Sequence, residues 1–479
     1  MDLRIVSKTL GRLLLVESAF LIFPLIVSLY YQESDSKAFL ITIIITALSG
    51  LLLNLPKIKK GIVRYKEGFM IVGVGWLIVS LFGAIPFILA DTFTTFIDAF
   101  FETVSGFTTT GATVLTNIES QPHGILFWRG LTHWLGGMGI LVFTLALLPA
   151  MGLSTVNILK AESPGPSPGK LVPKIAKTAQ LLYIIYILFT VMEIVSLTIA
   201  GMSLFDAFTH TFATMGTGGF STKNLSVGHY NSIPIETIII MFMFIAGVNF
   251  SLYYDALLGN FKTLLNDREF QFYFAVIIVS TLLITINING TLNNLFLSLR
   301  QSSFQVASIV STTGFTTMDY SVWPEFSKMI LFILMFFGGS AGSTGGAIKH
   351  IRILIVFKYI KREFTKLIHP NSVVSIRLGG KPVPENIVQN VISFVLIYFV
   401  IFVVFSLILL TQNLDLISST SAVAATLGNV GPGFGIVGPA QNYSGLTTFT
   451  KGLLSFAMIL GRLEIYTVLI LFTPFFWKD

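Results

Sequence analysis

Ten stretches of this chain, at about 11–31, 38–55, 69–90, 125–150, 179–201, 235–259, 270–289, 326–359, 388–411 and 451–475, are long, continuous and apolar. A helix needs roughly 20 such residues to cross the hydrocarbon core of a bilayer. Of the 479 residues 53% are hydrophobic and only 11% charged, more apolar surface than a domain in water could cover. The chain therefore reads as an all-α polytopic membrane protein, with the lipid bilayer as its solvent. Membrane β-barrel strands would be short and alternating, which these runs are not.

Lysine and arginine set the expected orientation. With the N-terminus inside, 23 of the 30 fall in segments 1–12, 56–68, 152–180, 260–270, 347–387 and the tail. Six lie outside (Lys37, Arg129, Lys223, Arg300, Lys328 and Lys451), and Arg462 lies within a span. This asymmetry predicts both termini in the cytoplasm. The net charge of +7 is then topological, and no nucleic-acid site follows from it. Cysteine is absent, which removes disulfides and thiolate chemistry. His123, His133, His210, His229, His350 and His369 form no metal-ligand or serine–histidine spacing, so the chain does not read as an enzyme. The longest polar segment, about Lys358 to Pro384, is too short for a nucleotide-binding domain, so this chain binds no nucleotide itself.

One glycine recurs in four similar settings. The stretches are "FTTTGAT" (Phe107–Thr113), "MGTGGFS" (Met215–Ser221), "VSTTGFT" (Val310–Thr316) and "LGNVGPG" (Leu427–Gly433), with Gly111, Gly219, Gly314 and Gly431 in register. Two positions earlier stand Thr109, Thr217, Thr312 and Asn429; between them stand Thr110, Gly218, Thr313 and Val430. Each copy joins two apolar spans and follows a short helical segment. This predicts two leading spans (1–60) and four units of span, half-helix, glycine loop and span, at 61–160, 161–262, 263–365 and 366–479. Thr95–Asp98 and Ser203–Asp206 fit capping boxes that start two of the half-helices. Capping is the main role expected of the two aspartates, with electrostatics at a pore mouth as a second. A half-helix of about nine residues would rise only ~14 Å.

Irregular backbone at membrane depth must be shielded from lipid and line a wet cavity. Glycine permits the dihedrals that turn successive carbonyls toward one axis. Four such loops would make rings of oxygens able to replace a cation's water, with the helix C-termini adding partial negative charge. The twelve residues just named are the expected cation ligands, mostly through backbone carbonyls. Close packing of small residues is the competing explanation for a single copy of such a loop.

The run 326–359 is too long for one crossing and contains "GGSAGSTGGA", Gly338 to Ala347. Gly338, Gly339, Gly342, Gly345 and Gly346 make it a poor helix. A softened kink and an intramembrane loop both fit. Arg462, costly at mid-span without partners, would find acceptors in carbonyls of Gly339–Gly345, or else an ion pair such as Asp255.

The four loops, together with "WRGLTHWLGGMGI" (Trp128–Ile140), "GGSAGSTGGAIKHIR" (Gly338–Arg352) and "GRLEIYTVL" (Gly461–Leu469), make the chain resemble the Trk/Ktr/HKT superfamily of potassium transporters, specifically the bacterial TrkH type. The resemblance covers nearly the whole length. It implies K⁺ as the transported ion, a channel-like subunit of the bacterial inner membrane, a homodimer and a cytosolic TrkA-like nucleotide-binding gating ring. It also implies that the 338–347 segment is a mobile loop obstructing the pore, held by Arg462. Glycine at the filter position of all four repeats goes with potassium in this superfamily. The competing function is a sodium- or proton-coupled secondary transporter, for which Glu193 and Glu236 would be proton relays rather than solvated or paired helix-end residues. Only one second span of a repeat, 326–359, reads as broken, which favours the channel.

Overall fold

Helices satisfy their own backbone hydrogen bonds, so apolar runs of this length fold as spans. The computed structural model describes residues 1–56, 64–139 and 175–478. Among the described residues six helical segments are long and apolar enough to cross a membrane: Leu3–Tyr31, Ser36–Asn54, Tyr65–Leu89, Ala179–Ile199, Arg268–Leu292 and Glu385–Leu410. Two more crossings are bent pairs, Ile233–Ala246 with Phe250–Leu257 at 96° and Thr448–Arg462 with Tyr466–Phe472 at 113°. A ninth is split into Glu325–Leu334 and His350–Ile368. Of the run 125–150 the structure describes the helix His123–Gly137 and residues to 139; the rest of it, and the unit boundaries expected at 60/61 and 160/161, lie outside the described residues.

The two leading spans cross at Gly11 and Gly50, where a Cβ on either would come within 2.6 or 2.8 Å of the other's carbonyl oxygen. Four half-helices follow, Phe96–Phe107, Leu204–Gly216, Leu295–Val310 and Leu416–Leu427. Each starts on a side chain that accepts the N–H three residues on: Thr95 from Asp98, Ser203 from Asp206, Asn294 from Leu297 and Asp415 from Ser418. They run 12 to 16 residues, and so rise about 18 to 24 Å rather than ~14 Å, because helix persists to within four residues of each loop glycine.

The spans 235–259 and 451–475, expected to be continuous, are broken. In the first, helix ends before Gly247, and the Asn249 side chain restarts it by accepting from Ser251 N–H at 2.9 Å. In the second, Glu464 (φ +58°) and Ile465 (φ +34°) take left-handed backbone that cannot continue a helix. Glycine marks these breaks for a packing reason. A Cβ on Gly461 would overlap the Leu427 carbonyl, the last residue of the fourth half-helix, and one on Gly136 would overlap the Phe107 carbonyl, the last of the first. Glycine thus lets the second spans of the first and fourth repeats approach their own half-helices end-on, whereas a Cβ on Gly247 would meet the Tyr273 hydroxyl.

Candidate functional site

The four glycine loops share one backbone path. Thr109, Thr217, Thr312 and Asn429 have φ of +54°, +56°, +63° and +53°, and Gly111, Gly219, Gly314 and Gly431 have +79°, +81°, +81° and +99°. Left-handed threonine is uncommon and is held only where its surroundings dictate it. The loops also close on one another in order. A Cβ on Gly111 would overlap the Gly218 carbonyl oxygen, on Gly219 that of Thr313, and on Gly314 that of Val430; on Gly431 it would come within 2.6 Å of that of Thr110. The first loop touches the second, the second the third, the third the fourth, and the fourth the first, which is a closed ring. All four glycines line one cavity at one mouth of the ring. The C-terminal ends of all four half-helices lead into this ring, so their unpaired carbonyls add partial negative charge there.

Side chains brace the ring from behind. The Thr108 and Thr110 hydroxyls pair at 2.8 Å, and the Ser311 and Thr313 hydroxyls at 2.7 Å. The fourth loop, poor in threonine, is tied otherwise. Asn429 Nδ2 donates to Thr110 Oγ1 and to the Met458 carbonyl, both at 3.0 Å, and the Tyr443 hydroxyl donates to the Gly431 carbonyl at 2.7 Å. Glu102, buried in the first half-helix, accepts from Arg129 Nε (2.8 Å), Thr113 Oγ1 (2.8 Å) and Val114 N–H (2.9 Å), while Arg129 reaches on to the Ser221 carbonyl at 3.2 Å. His133 Nδ1 lies 2.8 Å from the Gly106 carbonyl, and Phe220 N–H donates to its Nε2 at 3.2 Å. A neutral ring protonated at Nδ1 satisfies both bonds. Thr109 Oγ1 and Asn429 Oδ1 are buried with no hydrogen-bond partner.

Against the ring's other side, at Ser311, Thr312 and Gly428, lies the segment from Gly338 to Lys349. Its two ends are zipped together: Ile348 N–H donates to Phe336, Lys349 N–H to Phe337 and His350 N–H to Gly339, at 3.0 to 3.3 Å. Gly346 N–H donates to Thr312 Oγ1 at 2.7 Å, and a Cβ on Gly345 would come within 2.9 Å of the Ser311 carbonyl. On another side the segment pairs with the break after Ala246, through Ser340 N–H to Gly247 at 2.8 Å and Phe250 N–H to Gly342 at 3.1 Å. Gly338 (φ +70°) and Gly342 (φ +76°) supply the turns. The run is thus a folded loop, not a kinked helix. Arg462 donates to the carbonyls of Thr344 (2.6 Å), Gly137 (2.8 Å) and Gly136. Its partners therefore come from the loop and also from the end of His123–Gly137. Neighbouring Glu464 ion-pairs with Arg352, whose guanidinium also stacks 4.0 Å from the Phe394 ring centre.

Several functional positions were not marked by the sequence. Glu102 and Tyr443 lie in no motif, and Arg129 and His133, although within "WRGLTHWLGGMGI", were given no role there. Asp98 receives Lys451 Nζ at 2.6 Å in addition to its capping role, and Asp206 accepts from Thr222 Oγ1 at 2.5 Å. Glu236 is paired with Arg300, at 2.6 and 2.7 Å. Glu193 is neither solvated nor at a helix end: it is fully buried within Ile175–Ile199, and neither carboxyl oxygen has a hydrogen-bond partner. Among the described residues, no group of three or more His, Asp or Glu could hold a metal by side chains alone.

Comparison with known proteins agrees with this architecture. The profile of the family described as "TrkH: Cation transport protein" matches residues 35–479. The Trk system potassium uptake protein TrkH of Escherichia coli K12 is 40% identical over the full length of both chains, and TrkG of the same organism is 36% identical over 99% of each. The crystal structure of the potassium transporter TrkH from Vibrio parahaemolyticus superimposes with a TM-score of 0.90 at 36% identity, covering 100% of both chains.

Proposed function

The chain belongs to the TrkH family of cation transport proteins, and on that premise we propose that it takes up potassium through the ring of glycine loops, with the Gly338–Lys349 segment as its closure. The observation that carries this reading is the closed ring, in which each loop glycine packs against a backbone carbonyl of the next loop around one axis. Carbonyls of Thr109, Thr110, Gly111 and their counterparts in the other loops would replace the ion's hydration shell. Thr109 Oγ1 and Asn429 Oδ1 add oxygens at the inner end. No acid is needed among the ligands, and conduction favours this, since a weakly held cation leaves again.

The closure reading rests on position. The loop's Gly346 is bonded to Thr312 of the ring, so an ion leaving the ring inward meets the loop first. Arg462 holds the loop against a different repeat. A cytosolic nucleotide-binding ring of the TrkA kind would act on this loop from the cytoplasmic side, where the lysine and arginine asymmetry puts both termini, and two copies would form a homodimer in the bacterial inner membrane.

A coupled transporter is the other reading. Among the described residues three second spans are broken and not one, so a single broken span no longer favours the channel. The ring itself argues for the channel: four loops of one hand in sequence order, rather than the inverted repeats of secondary transporters. Purified protein in liposomes should pass rubidium in preference to sodium down its own gradient. Uptake that demands a sodium or proton gradient would establish the coupled transporter instead.

A further inference from the structure

Glu269 sits in the first turn of Arg268–Leu292, buried against the loop. One of its carboxylate oxygens, Oε1, accepts two backbone N–H groups, Ala341 at 2.7 Å and Ile351 at 3.0 Å. Ala341 lies at the middle of the loop, and Ile351 is the second residue of the helix His350–Ile368. N–H groups in a first helical turn have no partner within their own helix, and a carboxylate there is favoured by the helix dipole. A single atom therefore ties the loop's midpoint to the start of the helix that follows it, and does so from a third element. The loop ends are already zipped, and Lys349 Nζ donates to the Gly345 carbonyl. The zipped ends and Lys349 do not reach the midpoint, which is held on one side by backbone bonds of Ser340 and Gly342 with Gly247 and Phe250 and on another by the Glu269 carboxylate. Arg462, which takes the Thr344 carbonyl, reaches the loop from the fourth repeat, and Glu269 reaches it from the first span of the third.

We propose that Glu269 is a positioning residue, the second clamp of the intramembrane loop, which couples the loop's release to movement of the helix His350–Ile368. The proposal rests on reading the loop as the closure. Displacing that helix would strip one of the two N–H groups from the carboxylate and loosen its grip on the loop, and would also pull on Glu464, the ion-pair partner of Arg352 two residues from Arg462. The two charged clamps come from two repeats and act together with the backbone bonds to Gly247, Phe250 and Thr312 that also hold the loop.

The chain has no cysteine, so a single Ser343→Cys change installs a unique reporter in the loop, where Ser343 is buried and donates to the Ser340 carbonyl at 2.6 Å. The experiment measures the rate at which a thiol reagent labels Cys at 343, and rubidium and sodium flux in liposomes without any partner. Both are measured with Glu269 intact, with Glu269→Ala and with Glu269→Gln, which keeps an acceptor oxygen but loses the charge. Labelling and rubidium flux should each rise roughly ten-fold in Glu269→Ala, the factor equal to about 1.4 kcal/mol. Glu269→Gln should rise less, and the rubidium-to-sodium ratio should not change, since the ring is untouched. Labelling at the wild-type rate in folded Glu269→Ala overturns the clamp; where that variant does not fold, wild-type labelling in Glu269→Gln does so. Faster labelling with unchanged flux supports the clamp and refutes the closure reading. Raised flux in Arg462→Ala, with neither quantity moved by the Glu269 variants, refutes the clamp and leaves the closure standing.

Discussion

Replacing Tyr443 with Phe tests how the fourth loop is kept in register with the other three. Tyr443 is buried, packs its ring 5.5 Å from that of Phe101, and is held by its own N–H to the Thr113 carbonyl at 2.8 Å. Phenylalanine keeps the packing and the backbone bond, so the change deletes one hydroxyl. That hydroxyl donates to the Gly431 carbonyl at 2.7 Å; among the described residues no side chain donates to the carbonyls of Gly111, Gly219 or Gly314. A hydrogen bond of this kind contributes about 0.5–1.5 kcal/mol net. Freed of it, the carbonyl gains a range of orientations, and the ring can contract around a smaller ion. Potassium-over-sodium discrimination should therefore fall, by roughly 2- to 12-fold at 1.4 kcal/mol per factor of ten. The assay is paired rubidium and sodium flux into liposomes from the same preparation, with thermal unfolding as a check on folding. An unchanged ratio in a folded variant would refute the role given to the hydroxyl. Loss of both fluxes would show instead that the bond holds the passage open.

Gly111→Ser should lower potassium-over-sodium selectivity more strongly, because its Cβ would overlap the Gly218 carbonyl at a φ of +79°; an unchanged flux ratio would remove Gly111 from the ion path. Arg462→Ala deletes donors to Thr344, Gly136 and Gly137 and should raise partner-free flux, since about 2.7 kcal/mol of bias is enough to keep 99% of molecules closed. Equal resting flux in folded mutant and wild type would count against that role. Asp415→Ala removes the cap of the fourth half-helix and should lower unfolding stability by about 0.5–2 kcal/mol at neutral pH. The Ser418 hydroxyl and N–H hold the Asp415 carboxyl below the usual carboxylate range, so its contribution is complete above the unfolded value of about 4 and is lost as pH falls through the lower folded one. Unfolding midpoints of mutant and wild type should then converge in acid.

Spans and repeat were legible because their causes are local. Hydrophobic length needs no knowledge of neighbours, and a glycine two residues after a polar one recurs visibly even where, as in "LGNVGPG", the threonines are gone. The caps Thr95 and Ser203 were readable for the same reason, whereas Asn294 and Asp415 passed unmarked without an acid three residues on. What the sequence left open was decided by partners distant along the chain. Ile465 and Glu464 show no helix-breaking composition; their left-handed backbone follows from Gly461 seating end-on against Leu427. Arg462 could be foreseen to need acceptors, but not that two would come from Gly136 and Gly137, more than three hundred residues earlier. Glu269 sits in no motif, and its grip on Ala341 and Ile351 exists only because the broken span folds back beside it. By itself the sequence determined a helical membrane protein with four glycine loops. Tertiary structure alone decided that the loops close into a ring and which buried charges brace it, because a bare carbonyl or a charge at membrane depth must find its partner wherever packing brings one within reach.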